Sequence, residues 1–350
     1  MVKVKIVGAG GYGGIGMIEL VLRHPEARLV SLVDIANVGE SIADVHPHLR
    51  GLCDLTIRAP GEDDFGDADV VFTATPDGVG QKVATDVLAA GAKLIDYSGD
   101  FRCANAADYA VYAARIGRDT THALPDLLDE AAYGVTELHR DAIAGARVVG
   151  NPGCFAVSCI LGIAPAVKAG AVGRERIIFD SKTGVSGAGI KPHAVFHFPE
   201  RYENMNAYKV MAHQHQVEIE QELSRQAGGE VRIALVTQVV PLCRGIMTTA
   251  YADLDAGWDL AKVHAAFADF YAGCPFIRVM KPGAPSSNNN VRGSNFCDVS
   301  VHVDERTGTL LAVSHIDNLM KGQAGSALQN MNVMFGLDET LGLLHAGHRP

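Results

Sequence analysis

The stretch Lys3-Val4-Lys5-Ile6-Val7-Gly8-Ala9-Gly10-Gly11-Tyr12-Gly13 decides the fold of this chain. A short β-rich run leads directly into glycines that match the pattern G-x-G-x-x-G. An amphipathic helical segment, Ile15 to Arg23, and a second strand-like run, Arg28 to Val33, follow. In this strand–turn–helix context the glycines permit a tight turn, close backbone approach to a pyrophosphate and close helix packing. The stretch therefore predicts a dinucleotide site, to which we assign Gly8, Gly10, Gly11, Tyr12 and Gly13.

An acidic residue, Asp34, ends the second predicted strand. A carboxylate at this point can hydrogen-bond a ribose 2′-hydroxyl and repel a 2′-phosphate. Asp34 therefore favours NAD(H) over NADP(H). An aspartate in a solvated loop is the alternative interpretation.

Strand and helix patterns continue to alternate after Asp34. The predicted elements are a strand at Asp69 to Thr75, a helix at Gly80 to Ala90, and strands at Lys93 to Tyr97 and Arg147 to Val149. Ligands of doubly wound sheets lie at the carboxyl ends of the strands. We therefore assign Thr75, Pro76 and Ser98 to the cofactor site as well.

One cysteine, Cys154, follows Gly150-Asn151-Pro152-Gly153 and precedes the apolar run Phe155 to Val167, which predicts a helix. A thiol at a helix N-terminus faces unpaired N–H groups and the positive end of the helix dipole, which stabilise the thiolate. The same N–H groups can hold an oxyanion. A buried structural cysteine is the alternative. The predicted strand before Cys154 brings it to the cofactor edge of the sheet, and this favours a nucleophile.

Strand-like runs also predict a second domain of α+β type. They cover Arg176 to Ser181, Val231 to Val240, Gly245 to Ala252 and Cys297 to Asp304. The glycine-rich loop at Gly184 to Gly189 can bind an anion through its backbone N–H groups, or it is a plain flexible loop. Lys182, Lys191 and Arg244 lie near glycines, where an anionic substrate can be held; ordinary solvated side chains are the alternative.

Two histidines, His213 and His215, precede a predicted helix that ends near Arg225. We discount zinc because no third ligand is arranged with them. Histidine is the usual general acid or base near neutral pH, and Glu218 can share the helical face of His215 and orient it. Polar surface histidines are the alternative. A later helix, Ser326 to Met334, is expected to return to the first domain, with Asn318 near the nicotinamide.

The composition limits the class of protein. The chain has 350 residues, of which 48% are hydrophobic and 20% charged, and a net charge of −10. A globular protein with a sizeable core is expected, and nucleic acid is not expected as a partner. We find no signal-peptide pattern and no membrane span. The seven cysteines form no CxxC pair, which indicates free thiols and a cytoplasmic protein.

The expected fold class is α/β: a Rossmann-type doubly wound parallel sheet plus an α+β substrate and dimerisation domain. Residues 1–150, with a C-terminal helix at about 320–350, are predicted to bind the dinucleotide, and 151–319 to hold the catalytic site. A dinucleotide, a thiolate and a histidine together imply that an acyl group is reduced through a thioester.

Several motifs, spread over nearly the whole chain, resemble those of one known enzyme family. Asn151-Pro152-Gly153-Cys154-Phe155 resembles the signature of the N-acetyl-gamma-glutamyl-phosphate reductases of arginine biosynthesis. Further similar motifs are Ile95 to Arg102, Ser186 to Gly189, His213-Gln214-His215 with Glu218, Gly293-Ser294-Asn295, and Asp317 to Leu319 with Lys321-Gly322.

The resemblance implies reversible, NADP(H)-linked reduction of an acyl phosphate to an aldehyde, with release of phosphate. It implies Cys154 as the nucleophile and one of His213 and His215 as the acid/base; we assign that role to His215, with His213 as the alternative. Gly187 and Asn318 are placed at the cofactor. Asn151, Ser186, Lys191, His213, Glu218 and Arg244 are placed at the substrate. A homodimer or homotetramer is also implied.

Three segments depart from the family pattern. Asp34-Ile35 stands where a Ser-Arg pair is common, Ala156-Val157 replaces Pro-Thr, and Ile190 replaces an arginine. The first departure shifts the expected cofactor preference toward NAD(H), and the other two bear on the substrate. The alternatives are a reductase of carrier-bound aminoadipyl phosphate in lysine biosynthesis, aspartate-semialdehyde dehydrogenase, whose cysteine motif differs, and a non-catalytic dinucleotide-binding regulator.

Overall fold

The computed structural model describes residues 1–349 and divides into two compact units. The first unit comprises Met1–Ala114, Arg118–Pro152 and Gln323–Leu344. The second unit comprises Arg115–Gly117, Gly153–Gly322 and 345–349. The first unit is therefore discontinuous, because the chain leaves it after Pro152 and returns to it at Gln323.

The first unit contains a seven-stranded sheet in which every pairing is parallel. Its strands are β1 (Val2–Val7), β2 (Ala27–Val33), β3 (Ile57–Arg58), β4 (Val70–Thr73), β5 (Lys93–Asp96), β6 (Ala132–Tyr133) and β7 (Val148–Gly150). Their order is β3-β2-β1-β4-β5-β7-β6, so the winding reverses between β1 and β4. Every residue of β4 is buried, as the middle of a parallel sheet requires. The predicted doubly wound sheet is confirmed.

The second unit contains a mixed seven-stranded sheet. Its strands are β8 (Ile177–Thr183), β9 (Asn206–Tyr208), β10 (Ile233–Val239), β11 (Ile246–Asp253), β12 (Ile277–Val279), β13 (Cys297–Asp304) and β14 (Thr309–Ile316). The order is β12-β13-β14-β11-β8-β10-β9, with parallel pairings of β8 with β10 and of β12 with β13. The sequence predicted four of these strands and missed β9, β12 and β14.

Helices connect these strands. They are α1 (Tyr12–Arg23), α2 (Ile42–Val45), α3 (Gly80–Ala89), α4 (Ala106–Arg115), α5 (Pro125–Glu130), α6 (Thr136–Gly145), α7 (Cys154–Lys168), α8 (Phe198–Arg201), α9 (His215–Ala227), α10 (Leu260–Phe270) and α11 (Gly325–Met334). Within residues 1–349, no helix combines the length and the apolar character that crossing a bilayer needs.

Helix α1 begins three residues before the predicted Ile15. Glycines favour helices weakly, so the sequence placed the start too late. Packing requires a glycine in this first helical turn, because a Cβ on Gly14 would lie 2.2 Å from the carbonyl oxygen of Gly8. Gly14, which the sequence analysis did not single out, therefore lets the helix approach the turn.

Helix α7 is apolar on all sides. Every residue from Phe155 to Val167 is buried, and the helix packs against α9, β11 and β14 within the second unit. An apolar helix of this kind belongs to the core. Its first residue is Cys154, so the rigidity of the core extends to the thiol.

Candidate active site

Cys154 lies at the N-terminus of α7. The preceding Gly153 is the N-cap in extended conformation, and no side chain caps the helix. The Cys154 side chain is half-buried and lines a cavity of about 500 Å³ in the second unit. Gly322 packs against it, since a Cβ at that glycine would lie 2.8 Å from Cys154 Cβ. The thiol is thus held in a defined place and opens into a space that can take a small molecule.

The side chains of His215 and Glu218 lie against Gly153, at the start of α7. Nε2 of His215 lies 3.8 Å from Oε1 of Glu218, and a Cβ on Gly153 would lie only 2.3 Å from that same Nε2. Glu218 is completely buried, and its Oε2 accepts the Gly153 N–H at 2.9 Å. One carboxylate therefore lies beside the imidazole and fixes the residue before the thiol. It also occupies the Gly153 N–H, so only the N–H groups further into the helix stay open to an anion.

His213 lies beside His215, with the two ring centroids 4.5 Å apart. Its Nδ1 accepts the backbone N–H of His215 at 3.2 Å. Burial, together with the neighbouring His215, lowers the pKa of His213 to about 2. A histidine with this pKa stays neutral at physiological pH, so it is poorly suited to move protons and well suited to fix the helix start.

Buried neutral histidines give the stability of this protein a defined pH dependence. Burial also lowers the pKa of His315 to about 4. Unfolded histidine has a pKa of about 6.5, so the unfolded chain takes up protons that the folded chain does not. Their contribution is fully present above pH 6.5 and falls as the pH decreases, by up to about 1.4 kcal/mol per pH unit for each histidine.

We therefore expect the urea midpoint to fall between pH 6.5 and 5, and the fall to be smaller in a His315→Asn variant. Asp96 acts in the opposite direction, because burial and the nearby Asp100 raise its pKa. The difference between the wild type and the variant isolates the histidine. Equal pH slopes for the two proteins would show that His315 does not remain neutral in the fold.

The glycine-rich loop at 184–189 contains a short 3-10 turn, Val185–Ala188. The N–H groups of Gly184, Val185 and Ser186 donate to the carbonyl oxygens of Gly245, Leu242 and Cys243. Those of Gly187 and Gly189 donate to carbonyls within the loop itself. With these donors engaged, the loop does not form the anion-binding nest that the sequence suggested.

Asn318, predicted at the cofactor, and Ser186, predicted at the substrate, come together at this loop. Nδ2 of Asn318 donates to Oγ of Ser186 at 3.0 Å, and Oδ1 of Asn318 accepts the Gly245 N–H at 2.7 Å. Gly187 is exposed beside them and lines the same cavity as Cys154. Asn318 thus ties the loop to the β11 edge, and its predicted cofactor contact stays a prediction.

The basic residues expected near the substrate differ in their surroundings. Arg244 donates to Oδ1 of the fully buried Asp317 at 2.9 Å and 3.2 Å, so a carboxylate already neutralises it. Lys182 pairs with Asp180 at 2.6 Å, and Lys191 is exposed. None of these three lines the cavity that contains Cys154.

The predicted dinucleotide loop lies in the first unit, between β1 and α1. Gly8 has a φ of +88°, and a Cβ there would lie 2.5 Å from the Ala74 carbonyl oxygen. Gly10 donates its N–H to Oδ2 of Asp34 at 2.8 Å. The hydroxyl oxygen of Thr75 is buried, and no group within residues 1–349 hydrogen-bonds to it. A glycine cradle, an uncapped helix start and an orphaned hydroxyl fit a dinucleotide.

The other residues predicted in this unit are already engaged or lie at its surface. Oγ of Ser98 donates to Asp96, Pro76 is exposed, and Tyr12 is 38% exposed. Asn151 is completely buried: its Nδ2 donates to the Gln323 carbonyl at 3.0 Å, and its Oδ1 accepts from Asn330 at 3.3 Å. Substrate contact by Asn151 stays a prediction.

Family models match both units. Residues 3–146 match the semialdehyde dehydrogenase NAD binding domain, and residues 154–318 match the semialdehyde dehydrogenase dimerisation domain. An N-acetyl-gamma-glutamyl-phosphate reductase of Symbiobacterium thermophilum is 45% identical over 99% of this chain and 98% of its own. One from Bacillus cereus strain B4264 is 42% identical over 98% of each chain. The chain belongs to the N-acetyl-gamma-glutamyl-phosphate reductase family.

Solved structures share the fold of this reductase family member at much lower identity. Aspartate semialdehyde dehydrogenase II of Vibrio cholerae, complexed with ASA, has a TM-score of 0.73 and 18% identity, covering 96% of this chain and 98% of its own. The Candida albicans enzyme with NADP has a TM-score of 0.70 and 16% identity, with the same coverage.

The cavity of this reductase family member contains residues that the sequence analysis missed. Phe196, Arg201, Asn206 and Tyr208 line it together with Cys154. These four residues come from a stretch of sequence without a motif. They belong to the segment before α8, to the short helix α8 and to the short strand β9, which together bring them to the same cavity as the thiol. The one available signal was an arginine among aromatic residues, Phe198 to Tyr202.

Proposed function

We propose that this chain reduces N-acetyl-gamma-glutamyl phosphate to the corresponding semialdehyde and releases phosphate, the reaction for which its relatives are named. The observation that carries the proposal is the arrangement of three groups. Cys154 begins a buried helix, His215 lies against the residue before it, and Glu218 connects the two. A nucleophile, an acid/base and a group that orients the base form the constellation that acyl transfer requires.

We propose that the first unit holds the nicotinamide dinucleotide and the second holds the substrate. Gly8, Gly10, Asp34 and Thr75 would hold the dinucleotide at the start of α1. When bound, the dinucleotide supplies the hydride. Three residues, Asn151 to Gly153, connect Gly150 at the end of β7 to Cys154, so the chain runs directly from the proposed cofactor unit to the nucleophile.

The residues of the second unit then account for the remaining steps. His215 takes the proton of the Cys154 thiol, and the thiolate forms a bond to the acyl carbon of the substrate. The acyl–phosphate bond breaks, phosphate leaves and takes a proton from water, and a thioester remains on Cys154. With the hydride that the bound dinucleotide would supply on that carbon, the carbon–sulfur bond would break, the aldehyde would leave, and His215 would return the proton to the sulfur. N–H groups at the start of α7 stabilise the oxyanion formed at each addition.

The reverse reaction gives a direct test. Oxidation of N-acetyl-glutamate semialdehyde should depend on inorganic phosphate and should be followed by nicotinamide absorbance with NAD⁺ and NADP⁺ in parallel. We expect turnover with at least one of the two cofactors. Purified, folded protein that shows no phosphate-dependent turnover with either cofactor would refute the proposed function.

We propose that Asp34 sets a preference for NAD(H). Its Oδ2 accepts the Gly10 N–H, and its Oδ1 accepts the N–H groups of Ile35 and Ala36 at 2.7 and 3.1 Å, so the carboxylate is fixed beside the glycine cradle. A second negative charge placed there is repelled. An Asp34→Ser variant is expected to raise the kcat/KM ratio of NADP⁺ to NAD⁺ by about 10²-fold.

Steady-state kinetics with both cofactors measures this ratio. Asp54→Ser is a suitable control, since this aspartate is exposed and is not assigned to either ligand. A wild type that strongly prefers NADP⁺, or a ratio that Asp34→Ser leaves unchanged, would contradict this role for Asp34.

We further propose a homodimer or homotetramer in the cytoplasm. The match to a dimerisation domain supports self-association, as do large apolar side chains exposed in the second unit, among them Phe198, Tyr202 and Met205. The seven cysteines form no CxxC pair, which suits a reducing compartment. Sedimentation velocity measures the assembly, and a monomer at micromolar concentration would refute the first of these proposals.

A further inference from the structure

The stretch 187–212 has an inverted pattern of burial. Of these described residues, Arg201 alone is buried, at 7% exposure, whereas Phe198 is 71% exposed and Tyr202 is 58% exposed. Arginine is among the residues least often buried, and aromatic side chains are ordinarily preferred inside. Burial of the guanidinium in this stretch therefore calls for a specific reason.

The partners of Arg201 do not neutralise it. Nη1 donates to the Val239 carbonyl at 3.2 Å, and Nη2 donates to Oδ1 of Asn206 at 2.6 Å. Nε is buried and has no hydrogen-bond partner among residues 1–349. Arg244 shows the contrast, because the buried Asp317 neutralises it. Burying a cation costs free energy when its hydrogen-bond partners are neutral oxygens and one of its N–H donors has no partner. A bound anion would offset this cost.

Arg201 lines the cavity that Cys154 also lines. The cavity has one other charged lining residue in the described chain, the neighbouring Glu200, which is exposed. The carbonyl that holds Nη1 belongs to Val239, the last residue of β10. The guanidinium is thus fixed at the carboxyl end of a strand, in the wall of the space that the substrate must enter.

We propose that Arg201 binds the carboxylate of the substrate and so selects acyl groups that carry one. This inference rests on the proposed function, whose substrate has two anionic groups, a phosphate and a carboxylate. The phosphate leaves from the carbon that Cys154 attacks, where the helix N-terminus favours an anion. The carboxylate stays on the acyl group through the thioester stage. The planar guanidinium matches a planar carboxylate and holds it through charge-assisted hydrogen bonds.

The reverse reaction separates the two anions, because the carboxylate and the phosphate then arrive on different molecules. We compare N-acetyl-glutamate semialdehyde with 4-acetamidobutanal, the same aldehyde without its carboxylate. Arg201→Met is expected to lower kcat/KM for the first aldehyde about 10²-fold and to change the second less than about threefold. The KM for phosphate should stay unchanged.

Two further variants make the result specific. Arg232→Met removes an exposed arginine just before the opposite end of β10 and should leave both aldehydes unaffected. Arg201→Lys keeps the charge but loses the planar fork, so it should lower the selectivity between the aldehydes about tenfold. Should Arg201→Met fail to fold, as judged by circular dichroism, the lysine variant decides the question.

The possible failures are distinguishable. If the wild type oxidises neither aldehyde in the presence of phosphate, the proposed function fails. If the wild type is active but the Arg201 variants lower kcat/KM equally for both aldehydes, the role of Arg201 is structural and this inference fails. If the KM for phosphate rises instead of that for the aldehyde, Arg201 binds phosphate and the assignment to the carboxylate is overturned.

Discussion

Replacing Cys154 with alanine or serine will lower kcat by about 10⁴-fold or more, while substrate and cofactor binding change little. Alanine removes the atom that carries the acyl group, so the thioester cannot form. Serine offers a hydroxyl of much higher pKa, and an oxygen ester accepts hydride less readily than a thioester. Steady-state kinetics in the phosphate-dependent direction measures the loss, and cofactor titration of the variant shows that binding survives.

The matched control lies on the same helix. Cys159 is completely buried, burial raises its pKa to about 12, and its sulfur lies 3.6 Å from Oγ of Ser181. A Cys159→Ala variant should keep kcat within about threefold and unfold at a lower temperature, because it leaves a small cavity. If Cys154→Ala retains more than a few per cent of the wild-type kcat, the nucleophile lies elsewhere.

Replacing His215 with asparagine is expected to lower kcat by about 10²- to 10⁴-fold, the range over which a positioned acid or base contributes. The amide keeps much of the shape of the imidazole but cannot take the thiol proton. The alkylation of Cys154 by iodoacetamide near neutral pH should slow as well, since the thiolate forms less readily. That labelling rate reports on proton removal separately from turnover.

His213→Asn is the comparison for this variant. Burial keeps the His213 imidazole neutral, so its loss should change the rate less and leave the pH dependence of kcat in place. If His213→Asn removes that pH dependence while His215→Asn retains it, the two roles must be exchanged.

The first sheet could be predicted from the sequence because a parallel strand buried on both faces is a continuous apolar run. β4 has this form throughout, β1 and β5 have it in part, since lysines interrupt β1 and charged residues lie at both ends of β5, and the glycines between β1 and α1 fix the turn. Cys154 could be predicted for a related reason, since a glycine and a proline before a long apolar helix place it at the N-terminus. In both cases the signal is local in the chain.

The remaining features depend on contacts between distant segments. β9 and β12 have three residues each, too few for a pattern of alternation to show. Glu218 was expected beside His215, but its bond to the Gly153 N–H, 65 residues away, has no local signal. The same is true of Arg201, whose burial depends on the carbonyl of Val239. The sequence also suggested an anion nest at 184–189, where backbone carbonyls outside the loop take the N–H groups of Gly184, Val185 and Ser186.

The discontinuity of the first unit has a consequence for synthesis on the ribosome. Every residue of α11 is buried, and α11 packs against α1, α6 and β5. A nascent chain that has emerged only as far as Pro152 therefore exposes the apolar surface that α11 later covers. The 170 residues of Gly153–Gly322 must be translated before α11 is made. Domains usually mature in the order of translation, but here the inserted unit can complete its core first, and the nascent N-terminal segment needs protection from aggregation until then.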